Sequence, residues 1–351
     1  MKSRSGVEER RQAARAMPSF GRRVGERLHF LRCGSDGDPL LEFARGVALG
    51  LADRPRRLPS RFLYDAEGSR LFERISATPE YYLTRTEARL LADTAAELST
   101  LTGDRTLVEL GAGNARKTEI LLAAYGERYD SVRYVPIDVS GAALAAVTDA
   151  LAAKYPRLSL FGLHGPYEAA LPFLERFAPL VLLFLGSSVG NLDQVETAAF
   201  WQRAHQALVP GDFVLLGVDL VKDPAVIHAA YNDAAGWSAA FTRNVFARMN
   251  RELGSAIDLG TIAHEAAYRP DWQRVEIAAR FTRRQEILLA PLGETGIIEA
   301  GERVVTEISR KFETAALQRY LHLFGFETVR VFTDRDGWYA LLLLRREAGL
   351  S

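Results

Sequence analysis

The chain has 351 residues, 48% of them apolar, with 44 basic and 44 acidic side chains and a formal net charge of zero. That length allows one large domain or two ordinary ones, and the lack of a basic excess argues against a general nucleic-acid binder. The one cysteine, Cys33, excludes an internal disulfide framework and suits a reducing, cytoplasmic setting, and no apolar run approaches the roughly 20 residues of a membrane helix.

Residues 1–28 are polar and Arg-rich, but Glu8, Glu9 and Glu26 spoil a transit-peptide pattern. Residues 1–32 are expected to form a mobile N-terminal arm. Asp38 to Leu51 carries Leu40, Leu41, Phe43, Ala44 and Val47 at helical spacing. Phe62 to Glu87 is dense in aromatic and turn residues, and Tyr64, Tyr81 and Tyr82 read first as packing residues with paired hydroxyls. Thr84 to Ser99 predicts a helix opened by a Thr84–Glu87 capping box, with Leu90, Leu91, Thr94 and Leu98 along one face.

Thr106 to Lys117, TLVELGAGNARK, is an apolar strand cut off by Gly111-Ala112-Gly113, with a helix opening at about Arg116. The two glycines permit a sharp turn and a close approach of ligand to backbone. Tyr134 to Asp138 is a second strand that ends on an acid, followed by a helix over Ala142 to Tyr155 and a short strand over Leu158 to Leu163. Leu180 to Leu185 reads as a strand buried on both faces, broken by Gly186 to Asn191. Asp193 with Glu196 opens a helix to about Leu208, and Phe213 to Leu220 is a fifth strand. This alternation implies a parallel, doubly wound α/β sheet.

The pattern then changes. Ala225 to about Leu253 reads as one long helical stretch, Ala263 to Leu289 as two or more strands, and Gly293 to Gly301 as a loop. Val304 to Phe312 alternates and runs into a helix ending near Gly325. Glu327 to Thr333 and Trp338 to Arg345 form a closing hairpin.

A glycine turn after the first strand and an acid closing the second signal a nucleotide site, the acid being Asp138. A dinucleotide oxidoreductase wants a third glycine where this chain has Arg116. Glu109-Leu110-Gly111-Ala112-Gly113 has instead the form used by methyltransferases that take S-adenosylmethionine (SAM). A nicotinamide site and a fold that binds neither remain alternatives. Asn191 closes a loop at a strand's carboxyl end, where it serves a ligand or merely caps the next helix. Glu307 and Ser309 point to one face of their strand, which is either a pocket or a solvated surface. The histidines are scattered and Cys33 has no partner, so neither a metal nor a cysteine nucleophile is expected.

From about Leu58 to Arg346 the chain resembles the histidine-specific SAM-dependent methyltransferases of ergothioneine biosynthesis. The resemblance is carried by FLYDAEGSRLFERISATPEYYLTRTE, LVELGAGNARKT, YVPIDVS, LFLGSSVGNL, LLGVDLVKD, YNDAAGWSAAF and TEISRKF. It implies a class I SAM-dependent methyltransferase fold, Rossmann-like with a C-terminal antiparallel hairpin, plus a smaller α+β substrate-binding domain. The substrate domain would take residues 33–84 and 222–311, and the SAM domain residues 85–221 and 312–351.

The resemblance further implies an α-N-methyltransferase that converts L-histidine to Nα,Nα,Nα-trimethylhistidine (hercynine). Gly111, Gly113, Lys117, Asp138, Tyr167 and Gly186 would meet SAM. Tyr64, Tyr81 and Asn191 would hold the amine, Tyr231 the amino-acid backbone, and Glu307 and Ser309 the imidazole. The expected partner is a small amino acid, without nucleic acid or membrane, acting on a monomer. Two positions depart from the family pattern. Pro166-Tyr167 replaces an aspartate-aromatic pair at the adenine, and Ile277 replaces a methionine in the substrate wall. The latter leaves open another amino acid or aromatic amine as substrate. A SAM-binding protein without turnover is a further alternative.

Overall fold

The structure, a computed structural model, describes residues 22–24, 28–33 and 38–348. Two short strands, β1 (Arg22–Val24) and β2 (Leu28–Arg32), lead into helices α1 (Pro39–Ala52), α2 (Ala66–Ala77) and α3 (Tyr82–Thr102). Strand and helix then alternate through β3 (Thr106–Leu110), α4 (Thr118–Arg128), β4 (Val132–Asp138), α5 (Gly141–Lys154), β5 (Leu158–His164), α6 (Tyr167–Ala170), β6 (Leu180–Phe184), α7 (Gln194–Ala207) and β7 (Phe213–Asp219). Next come α8 (Pro224–Ala230), α9 (Trp237–Leu253), β8 (Ile262–Arg269), β9 (Arg274–Phe281), β10 (Gln285–Leu289) and β11 (Glu294–Ile298). The chain closes with β12 (Arg303–Arg310), α10 (Thr314–His322), β13 (Phe326–Thr333) and β14 (Tyr339–Arg346).

Local chemistry sets several boundaries. Asp38 accepts the Leu40 amide at the start of α1, and Pro39 occupies a position where its missing N–H would be unpaired anyway. Asp193 and Glu196 form a reciprocal capping box at α7. β3 and β6 bury every residue, as parallel strands covered on both faces do.

The main sheet has nine strands in the order β1-β2-β5-β4-β3-β6-β7-β14-β13. β2, β5, β4, β3, β6 and β7 are parallel, and β14 and β13 close the edge antiparallel. This is the expected class I methyltransferase topology. Leu107 and Tyr134 join one buried cluster and Val108 and Val135 another, so alternate residues serve the two faces. A third cluster draws on residues 43–83 and 227–304, around the sheet β12-β9-β8 and the β10–β11 pair. Strand order reverses between β3 and β6, so their loops leave side by side. Open α/β sheets bind ligands at such a switch point.

Four expectations need correction. Residues 28–32 are not a free arm, because β2 pairs in parallel with β5. Residues 1–21 and 25–27 of that expected arm lie outside the described residues. No capping box opens α3; the helix starts at Tyr82 and Glu87 turns into the core. Residues 225–253 form two helices, not one. The Asp233 carboxylate accepts the Trp237 and Ser238 amides at 2.8 and 2.7 Å, and Gly236 turns the chain at φ 76°. Residues 293–301 are not wholly loop, because β11 pairs with β10. Gly296 had weakened that strand's signal.

Candidate active site

The turn after β3 is held from the β4 side. The Gly111 and Ala112 amides donate to the Ile137 carbonyl at 2.8 and 3.2 Å. Gly111 and Gly113 adopt φ of 72° and 52°, the left-handed region that glycine enters without strain. The Asp138 carboxylate, at the end of β4, accepts the Gly113 amide at 3.2 Å and the Ser140 amide at 2.8 Å. Burial pushes its pKa up, and those backbone bonds oppose the shift. A Cβ at Gly111 would come within 2.8 Å of the Tyr167 hydroxyl, so Tyr167 lies directly over the turn. Glu109, the acid that precedes the turn, has a different task. It is buried, takes bonds from Thr118 and Tyr134, and its pKa rises to about 7 through burial. It ties the start of α4 to β3 and β4.

The turn after β6 faces the first. Gly186 takes φ 76°, and a Cβ there would fall 3.3 Å from the Lys117 ammonium. Both groups are tied to Glu87. Its buried carboxylate accepts the Gly186 amide at 2.8 and 2.9 Å and the Tyr339 hydroxyl at 2.7 Å, and forms an ion pair with Lys117. Sequence reasoning missed Glu87. The available signal was an acid on the same helical stripe as Leu83, Leu90, Leu91 and Thr94, all of them buried.

This end of the sheet meets the third cluster at a set of largely buried polar and aromatic side chains. The turn Ser188–Asn191 packs on β12 so closely that a Cβ at Gly190 would meet the Arg310 carbonyl oxygen at 2.9 Å. That contact delivers Asn191, whose Nδ2 donates to Glu307 Oε1 at 2.9 Å. Asn191 does not cap α7, which Asp193 caps instead. Ile277 on β9 is paired with Glu307 on β12, so their side chains share one face of that sheet. The Tyr231 hydroxyl and Ser309 Oγ are 2.7 Å apart. Tyr81 meets Tyr231 edge-on with centroids 6.1 Å apart, and Phe72 packs on Tyr81 at 5.9 Å and on Tyr64 at 5.7 Å. Tyr64, Tyr81, Asn191, Tyr231, Ile277, Glu307 and Ser309 therefore converge from six different segments of the chain.

Electrostatics make this a cluster of neutral hydroxyls. Burial drives the phenols of Tyr64, Tyr81 and Tyr231 well above their usual 10, with Glu307 adding to each. Glu307 itself rises from 4.5 to about 7 through burial, opposed by Lys311 and the Asn191 bond. Such a site can hold an uncharged amine beside an acceptor for a ring N–H. Lys311, buried behind Tyr231 and Ser309, was also missed, although it stands in the TEISRKF run. Among the described residues no group of His, Cys, Asp and Glu could hold a metal, and no helix is long and apolar enough to cross a membrane.

Known proteins resemble this chain over most of its length. The family described as "Histidine-specific methyltransferase, SAM-dependent" matches residues 43–346. Histidine N-alpha-methyltransferase of Mycolicibacterium smegmatis is 39% identical over 302 residues, spanning 86% of this chain and 94% of that protein. Its Mycobacterium tuberculosis counterpart is 38% identical, over 86% and 94%. Ergothioneine biosynthesis protein 1 of Neurospora crassa is 30% identical over 85% of this chain, which spans only 34% of that longer protein.

Proposed function

The chain belongs to the histidine-specific, SAM-dependent methyltransferase family, and we propose that the amine it methylates is the α-amine of L-histidine, through successive transfers to hercynine as in ergothioneine biosynthesis. The observation that supports this reading is the Asn191–Glu307 hydrogen bond at 2.9 Å, which holds together the side chains we read as amine partner and ring acceptor.

The residues present fit the cofactor. Gly113 leaves open space where a Cβ would stand, Asp138 offers a carboxylate to ribose hydroxyls, and Lys117 offers an ammonium to the cofactor's carboxylate. Gly111, Tyr167 and Gly186 complete the cradle. Bound there, SAM supplies a methyl group already activated on a sulfonium.

The remaining work falls to this chain. An α-amine with a pKa near 8 is mostly protonated at neutral pH. The neutral hydroxyls of Tyr64 and Tyr81 and the Asn191 amide favour its uncharged form, and its proton leaves to solvent. Holding the nitrogen in line and close accounts for a large share of the acceleration in such displacements. Glu307 accepts one imidazole N–H and Ser309 pairs with the other ring nitrogen. A site built around such bonds rejects rings that leave them unmade. The same reading takes a monomer in the cytoplasm as the working unit, with gel filtration as its check.

The test is one assay. The protein and SAM are incubated with each of the twenty amino acids, and products are read by mass. Three added methyls on histidine alone is the expected result. Methylation of a different amino acid would keep the cofactor and reassign the pocket, with Ile277 beside Glu307 as the first residue to reconsider.

A further inference from the structure

Lys311 is 0% exposed and lies against the equally buried Asp219. An ammonium has three protons to give. Here they go to Asp219 Oδ2 at 2.8 Å, the Tyr231 hydroxyl at 2.8 Å and Ser309 Oγ at 2.9 Å. Asp219 also receives the Tyr82 hydroxyl at 2.9 Å and pairs with Lys222, which is 4% exposed. In this interior cluster one carboxylate, Asp219, is shared by two ammonium groups. Two further acids act nearby: Glu307, engaged by Asn191 at 2.9 Å, and Asp334, which acts on Lys222.

Tyr231 and Ser309 stand between this cluster and the pocket. Both hydroxyls accept from Lys311, and they spend one proton on their mutual 2.7 Å bond. With Ser309 donating to Tyr231, the Tyr231 proton is left for the ligand and Ser309 meets a ring nitrogen as an acceptor. That end of the pocket is therefore a donor backed by a buried cation. A carboxylate accepts from that donor as a charge-assisted bond, whereas a neutral alcohol gains a weaker one.

We propose that Lys311, acting through Tyr231, is the positioning residue that makes the pocket select an amine bearing a carboxylate. This rests on the reading of the pocket as an amino-acid site and adds the source of its acid selectivity. Lys311 donates to the Tyr231 hydroxyl and so strengthens the bond that Tyr231 gives to the carboxylate.

The experiment compares wild type and Lys311→Met on L-histidine and on L-histidinol, which keeps the ring and amine but has an alcohol in place of the carboxylate. SAM affinity by calorimetry runs beside it. Wild type should favour histidine strongly. Lys311→Met should raise the histidine KM by at least about thirtyfold with little change in kcat, the size of effect seen when a buried charge partner is removed. Histidinol turnover and SAM affinity should stay within about threefold, so the preference collapses. A parallel loss on both substrates, or an unchanged preference, overturns the proposal. So does a wild type that does not distinguish the two. If Lys311→Met fails to bind SAM, the double variant Lys311→Met with Asp219→Asn, which removes the stranded acid, is scored in the same way. Failure of both to fold would assign Lys311 to the core and also overturn it. Should the wild type methylate a different amino acid, the histidine reading fails, while that acid and its alcohol still test Lys311.

Discussion

The Glu87 carboxylate accepts the Gly186 amide at 2.8 and 2.9 Å although the two residues are 99 positions apart. The bond joins the second turn of α3 to the loop after β6. Glu87 also pairs with Lys117, so one buried acid fixes both sides of the cleft at the switch point.

Glu87→Ala should therefore act on both cofactor and fold. Removing one partner of a buried pair costs about 3–5 kcal/mol and leaves the Gly186 amide and Tyr339 hydroxyl unpaired. The expectation is a lower chemical-denaturation midpoint together with weaker SAM binding by calorimetry. Glu87→Gln, which keeps an acceptor, should recover part of both. Unchanged SAM affinity in a destabilised Glu87→Ala protein would confine Glu87 to the core.

Asp138→Ala separates the two effects. Its carboxylate is half-buried and accepts only two backbone amides, from Ser140 and Gly113, so the fold should tolerate the change. Loss of hydrogen bonds from ribose hydroxyls to a charged acceptor should cost about 2–3 kcal/mol, or roughly 30- to 150-fold in SAM affinity. A titration showing wild-type affinity would remove Asp138 from the cofactor site.

Glu307 makes a prediction about pH. In the fold its carboxyl keeps its proton to about pH 7, against an ordinary value of 4.5. Between those values the folded state binds more protons than the unfolded chain, so this group's contribution to stability falls as pH rises through the window and is flat above it. Glu109 behaves in the same direction, so the comparison must be with a variant. Glu307→Gln, measured by denaturation between pH 4.5 and 8, should show a shallower decline than wild type. Identical slopes would mean that Glu307 titrates normally.

What the sequence revealed and what it hid divide along physical lines. The glycine turn, the acid closing the second strand and the Asp193–Glu196 cap were legible because each shows as a residue type at a fixed place beside a strand or helix end. The parallel sheet was legible because its strands are apolar runs at regular spacing. Glu87 and Lys311 were not. A buried charge is specified by partners that only the fold supplies, and for Lys311 the Tyr231 hydroxyl is 80 positions away. The resemblance reached Tyr64, Tyr81, Asn191, Tyr231, Glu307 and Ser309 because it carries information about a shared fold that one-dimensional periodicity lacks. The break between α8 and α9 had a visible signal, Asp233 followed by Gly236, that the surrounding helical composition masked.

The pairing of β2 with β5 has a practical corollary for anyone shortening the protein. Leu28–Arg32 lines up with Leu160–His164, and the Cys33 amide adds a bond to the His164 carbonyl at 2.7 Å. A version trimmed to begin at Asp38 would strip this selvedge and bare the main chain of β5 along its whole paired length. An uncovered parallel strand is a template for another molecule. Such a preparation should grow larger with concentration in light scattering, while the full chain stays constant in size. The loosened strand would also be the one aligned, through the Asp138–His164 register pair, with the acid expected to grip the ribose.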